Sequence, residues 1–233
     1  MGGFMKTKHR YFNFPICLLN GFLLEGQSKE CLDDISDYAI YSQSQNFVED
    51  DLTEQINSAC KFFGLTLGNV SATMKNGKLL YDSIDARTPK VGINLSVWWD
   101  FYKNDKTEFE KVCFLGHLAI KSIVQNKSYT KIDNKYWLSR MSGLSKSVSL
   151  EMLPPEILRY FNEYQTKKIK HELVNNWGLV TYSRYTKGFY VSYKLTLEQL
   201  VFEAEKRRKS NKEKQQKKLE NEAVKKAHTR LGL

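Results

Sequence analysis

Cysteine, histidine and proline are each scarce, four apiece in 233 residues. The cysteines, Cys17, Cys31, Cys60 and Cys113, form no C-x-x-C pair, and His9, His117, His171 and His228 are scattered. That spacing leaves no zinc framework and no disulfide scaffold; the thiols read as small buried hydrophobes of a reducing compartment. No apolar run reaches the roughly 18 residues that cross a bilayer, so no membrane partner is expected. The run at 14–24 follows Lys6, Lys8 and Arg10 as a secretion signal would. Pro15 and Asn20 interrupt it and no small-x-small site follows before Glu25, so a retained core segment of a cytoplasmic protein is expected.

Catalytic signatures are also missing. There is no G-x-x-x-x-G-K-[ST] phosphate loop, no G-x-G-x-x-G and no G-x-S-x-G elbow. Asp33, Asp34 and Asp37 fall on one side of a helical segment, where acids usually form the wet face. We therefore expect no enzyme, no metal and no cofactor.

What is present is positive charge, unevenly spread. The chain carries a formal +10 with an isoelectric point near 9.3. Residues 1–120 hold 12 Lys+Arg against 15 Asp+Glu, whereas residues 121–233 hold 24 against 11. A charge needed only for solubility has no reason to segregate in this way, so an anionic partner for the second half is expected.

The most telling stretch is 166–193, TKKIKHELVNNWGLVTYSRYTKGFYVSY. Ile169, Leu173 and Trp177 recur every fourth residue and make one apolar stripe. Lys167, Lys168, Lys170, His171, Asn175 and Asn176 lie off it, and Gly178 supplies the stop. Val180 and Tyr182, then Phe189, Val191 and Tyr193, alternate as two strands around a turn carrying Arg184 and Lys187. A basic helix running into a basic hairpin resembles the recognition helix and wing of winged-helix DNA-binding proteins.

Upstream, Thr107-x-x-Glu110 is a capping box ahead of a strongly apolar helix over 109–125, in which Gly116 and Ala119 admit a close neighbour. Asp133 or Asn134 can cap a helix ending at Gly143, and Pro154-Pro155 can open another. That last helix either runs unbroken to Trp177 or breaks near Gln165, with Thr166 as the new cap. The order helix, helix, helix, hairpin suits the resemblance.

In the first half, helices are expected from Ser28 to about Ser42, from Asp51 to Gly64, and over 69–75 before an Asn76-Gly77 turn. Residues 87–90 read as a connection, and Trp98, Trp99, Phe101 and Tyr102 as core or as a seam between subdomains. The tail begins with Thr196-x-x-Gln199; Leu197, Leu200, Val201 and Ala204 can pack its first turns. From Lys206 onward it holds 11 Lys+Arg against 3 Asp+Glu.

The expected fold is mostly α with a small β component: a helical region at 1–105, a winged-helix-like domain at 106–195 and a basic helical tail at 196–233. The resemblance implies duplex DNA as the partner, with a possible homodimer formed through the first region. The expected contacts are Lys167, Lys168, Lys170, His171, Asn175, Asn176, Arg184 and Lys187, joined by Lys206, Arg207, Arg208 and Lys209 of the tail. Such a protein would regulate transcription or initiate replication of a plasmid- or phage-like element. An RNA-binding component of a ribonucleoprotein, or an adaptor that binds proteins, are the alternatives.

Overall fold

The computed structural model describes residues 10–46, 52–64, 70–184 and 188–231. The chain enters on β1 (Tyr11–Pro15), where Phe12 and Phe14 point inward in the period-two pattern of a strand. β1 pairs antiparallel with β2 (Lys90–Asn94), Tyr11 opposite Asn94 and Phe14 opposite Val91. A 3-10 turn (Ile16–Leu19) buries Ile16 and Leu19, so the apolar run at the start is core as expected.

Three helices separate the two strands: α1 (Gln27–Ser44), α2 (Leu52–Phe63) and α3 (Val70–Ser83). Cys31, Ile35, Tyr38 and Ala39 of α1 face the core. Ser28 does not cap α1; left-handed Gly26 occupies that position and the Ser28 hydroxyl donates to the Phe22 carbonyl at 2.9 Å. The Asn76-Gly77 pair is not a turn but the middle of α3. A Cβ on Gly77 would overlap the Asp37 carbonyl oxygen and lie 2.8 Å from Tyr41 Cβ, so the glycine marks where α3 crosses α1. Asn76 fastens the crossing by donating to Asp34 at 3.0 Å and to Asp37 at 2.9 Å.

α4 (Leu95–Lys103) buries Trp98 and Phe101, and α5 (Glu108–Val124) runs through the centre behind the expected capping box. The Phe101 and Phe114 rings stack with centroids 4.1 Å apart, and Phe22 reaches Phe114 at 5.8 Å. Side chains from both sides of residue 105 therefore share one core, which extends from Phe12 to Val191.

The remainder is β3 (Thr130–Ile132), α6 (Asn134–Met141), a single-turn α7 (Pro155–Leu158), α8 (Glu163–Asn176), β4 (Val180–Tyr182), β5 (Phe189–Ser192) and α9 (Leu197–Leu231). β5 is the middle of an antiparallel sheet ordered β3-β5-β4, with Ile132 opposite Phe189 and Tyr182 opposite Tyr190. The fold is mostly helical with two small sheets among the described residues. Among those residues, no helix is long and apolar enough to cross a membrane.

Candidate nucleic-acid interface

α8 does begin after a break, but its cap lies four residues earlier than Thr166. The chain turns at Arg159–Asn162, and Asn162 caps the helix by accepting from the Gln165 N–H at 2.8 Å. Thr166 is one turn inside, buried, with its hydroxyl donating back to the Asn162 carbonyl at 2.8 Å. Ile169 and Leu173 are fully buried against α5 and α6; a Cβ on Gly116 would sit 3.1 Å from Trp137 and 3.3 Å from Ile169. The Trp137 indole donates to the Gly116 carbonyl at 3.0 Å, so the absent side chain is what admits both neighbours. Gly178, at φ 67°, closes the helix, and the Leu179 N–H returns to the Leu173 carbonyl at 3.1 Å.

This packing sorts the expected contact residues onto different sides of α8. Lys167, His171 and Asn175 share the outward face with Tyr164 and Val174, which are 71% and 42% exposed. Lys167 is paired with Glu163 one turn earlier at 2.6 Å, and Asn175 Nδ2 lies 3.1 Å from His171 Nδ1. Both contacts are solvent-exposed and local, so they exchange readily for a ligand.

Lys168 and Asn176 are turned towards the first half of the molecule. Lys168 is exposed but lies 4.4 Å above the Phe109 ring, and Asn176 donates to Glu172 at 2.7 Å beside a cleft floored by Phe101, Phe109 and Trp177. Lys168, seven residues before Asn175, still borders the outward face, whereas Asn176 lies off it.

Lys170 departs furthest from expectation. It is not free on the surface but half-buried, donating to Asn134 Oδ1 at 2.8 Å and lying 3.7 Å above the Phe189 ring. Burial, with a smaller push from Lys167, brings its ammonium down to about 8. It belongs to a cleft of about 630 Å³ between α8, the start of α6 and the hairpin, lined also by Thr181, Ser183, Arg184 and Gly188. Two cationic side chains thus approach one opening with a helix N-terminus on its rim, an arrangement that favours an anion.

The hairpin is tied to the tail. Glu205 on α9 accepts from the Tyr182 hydroxyl at 2.8 Å, and its other oxygen lies 3.2 Å from Arg184 and 3.5 Å from Arg208. The Tyr182 hydroxyl, then Arg184, hold the Glu205 carboxyl below its ordinary range. Leu200 and Ala204 are buried beneath this contact, whereas Leu197, expected to pack there, is 51% exposed. Thr196 and Gln199 form the expected reciprocal cap. Lys206, Arg207 and Lys209 are exposed along the helix beyond. Lys187 lies outside the described residues.

Tyr164, Val174 and Glu205 escaped the reading of the sequence, and Asn134 entered it as a cap candidate only, a role that Asp133 takes by accepting from the Tyr136 N–H at 2.7 Å. Asn134 carried a signal, its place at the start of a helix; Glu205 carried none, since Arg184 and Tyr182 are 21 and 23 residues away. The acids of α1 are engaged within the protein: Asp33 accepts from the Tyr102 hydroxyl at 2.7 Å, and Asp34 and Asp37 from Asn76. Among the described residues, no group of three histidine, cysteine or acidic side chains is placed to hold a metal ion. Comparison with family models, curated proteins and solved structures gives no match.

Proposed function

We propose that this chain is a non-enzymatic DNA-binding protein that reads duplex DNA with α8 and the β4–β5 hairpin, in the manner of a winged helix. The observation that carries the reading is the placement of the polar outward face of α8 beside that hairpin, at the end of the order α5, β3, α6, α7, α8, hairpin, in which the single-turn α7 makes α8 the fourth helix rather than the third. In this reading Asn175 and His171 meet base edges in the major groove while Lys167 holds phosphate. Lys170 and Arg184 take a backbone phosphate at the cleft, and Lys187 adds its charge. Lys168, on the same side of the helix as His171 and Asn175, adds a phosphate contact, and Asn176 flanks the groove contact. Lys206, Arg207, Arg208 and Lys209 add charge that raises affinity for any sequence and is erased by salt. A cytoplasmic regulator of transcription, or an initiator of replication on a plasmid- or phage-like element, acting as a homodimer, is the role we assign.

A second reading, binding of unpaired strands or RNA, draws on Lys131, Tyr190 and Tyr182. They lie side by side across the three strands, the tyrosine rings 6.5 Å apart, as a base-stacking row would. Selection from a random-sequence duplex pool, followed by sequencing, tests the first. An enriched site that is lost with Lys167→Glu and with Asn175→Ala supports it. No enrichment, with equal affinity for duplex and single strands, refutes it in favour of the second.

A further inference from the structure

The first half of the chain is acidic overall, yet four of its lysines line one cleft. Lys29 of α1, Lys103 of α4, Lys106 of the following loop and Lys111 of α5 surround an opening of about 250 Å³. Phe22, Leu32 and Phe101 provide apolar surface, Tyr102 and Asn104 stand at the wall, and Asp105 is the one acid in the lining. Two of the lysines are already balanced: Lys106 pairs with Asp100 at 2.7 Å, and Lys29 lies 3.8 Å from Asp33.

The other two are not. Lys111 is half-buried, and its ammonium donates to the Ser28 hydroxyl at 2.8 Å, a neutral partner. Lys103 lies 4.4 Å above the Trp99 ring. Among the described residues, no carboxylate comes within 4.0 Å of either ammonium. A half-buried lysine whose ammonium has a neutral hydroxyl as its hydrogen-bond partner gains from an anion that completes its coordination. The first turn of α1 borders the same cleft through Gly26, Ser28 and Lys29, and no side chain caps it. Its positive end adds to the lysines without being needed for the argument.

We propose that this cleft binds a small phosphorylated organic ligand. The phosphate lies between Lys111, Lys29 and Lys103, and the rest of the ligand rests on Phe22, Leu32 and Phe101. At about 250 Å³ the space falls just below the usual range of small-molecule sites, roughly 300–1,000 Å³, which selects a compact ligand of sugar-phosphate size. The site does not depend on the DNA-binding reading, since none of its lining residues belongs to α8 or the hairpin.

Titration calorimetry on the full chain, with ribose 5-phosphate and with inorganic phosphate at about 0.15 M salt, tests the proposal. Saturable single-site binding is expected, tighter for the sugar phosphate. Lys111→Gln is expected to weaken it by about tenfold or more, as loss of a charge-assisted contact does. Lys127→Gln, an exposed lysine elsewhere, is expected to leave it unchanged, and circular dichroism checks that each variant is folded. Failure of both probes to saturate, equal binding of the two probes, or equal binding by wild type and folded Lys111→Gln, overturns the proposal.

Discussion

Lys170 and Asn134 meet at the foot of the hairpin, where the lysine ammonium donates to the amide oxygen at 2.8 Å above the Phe189 ring. This contact joins α8 to the first residue of α6 and places a charge in a partly desolvated cleft, which is why its ammonium falls to about 8 from an ordinary 10.5. Two effects of opposite sense follow. In the free protein the folded state binds fewer protons than the unfolded chain between about 8 and 10.5, so this group's contribution to stability improves as pH rises through that window. A bound phosphate favours the ammonium, so DNA affinity should instead fall as pH rises through about 8. Fluorescence anisotropy below and above that value should show the loss in wild type and a flat response in Lys170→Gln.

On the proposed function, Glu205 is a competitor of DNA for Arg184. Its carboxylate sits 3.2 Å from the wing-base guanidinium and 3.5 Å from Arg208, so it neutralises cations that the proposed function needs. Glu205→Gln keeps a hydrogen-bonding group for Tyr182 and removes the charge. Duplex affinity at low salt should rise several-fold, with a steeper dependence on salt concentration, because more positive charge is available to displace counterions. An affinity titration at three salt concentrations checks both.

Two helical glycines should respond to alanine against the usual trend. Glycine to alanine inside a helix ordinarily stabilises by about 1 kcal/mol. At Gly116 the added methyl meets Trp137 and Ile169 side chains at 3.1 and 3.3 Å, which can yield a little. At Gly77 it meets the Asp37 backbone, which cannot without separating α1 from α3. Gly77→Ala should therefore destabilise by about 1–3 kcal/mol, as overpacking does, and by more than Gly116→Ala. Urea denaturation of the two variants measures the difference.

These glycines also mark what could be read from the sequence. The capping box at Thr107, the Gly116 approach, the α8 stripe and the hairpin were legible because each is a local pattern of residue type and spacing. Gly77 was not, because Asn-Gly is a strong turn signal and the reason for it here lies on another helix, 40 residues earlier for Asp37. β2 and β3 escaped for a related reason. They are five and three residues long, and their partners, β1 and β5, are remote in the chain, so their existence depends on tertiary pairing. Of the proposed interface, the residue types were legible. Their division into an outward face, a flank and a buried cleft depended on where α5, α6 and α9 pack.

His117 makes acid stability a further test. It is half-buried between Trp177 and Tyr193, its ring 4.6 Å from the indole and its Nδ1 2.9 Å from the Tyr193 hydroxyl. Burial, then the charge of Lys121, brings its value down to about 3 from 6.5. The folded state resists the proton that the unfolded chain accepts, so stability is full above 6.5 and is lost as pH falls towards about 3. The loss from this group approaches about 1.4 kcal/mol per pH unit within that window. Stability curves of wild type and His117→Gln should differ by that slope, whatever their offset.

The central claim is that the outward face of α8 and the base of the hairpin contact one duplex together. The most direct measurement is amide chemical-shift perturbation on the nitrogen-15-labelled full chain, titrated with the duplex recovered by selection. The account predicts shifts at Lys167, His171 and Asn175 together with Thr181 and Arg184, and none along α3. Shifts confined to α9, or to the α1 and α3 surface, would contradict it.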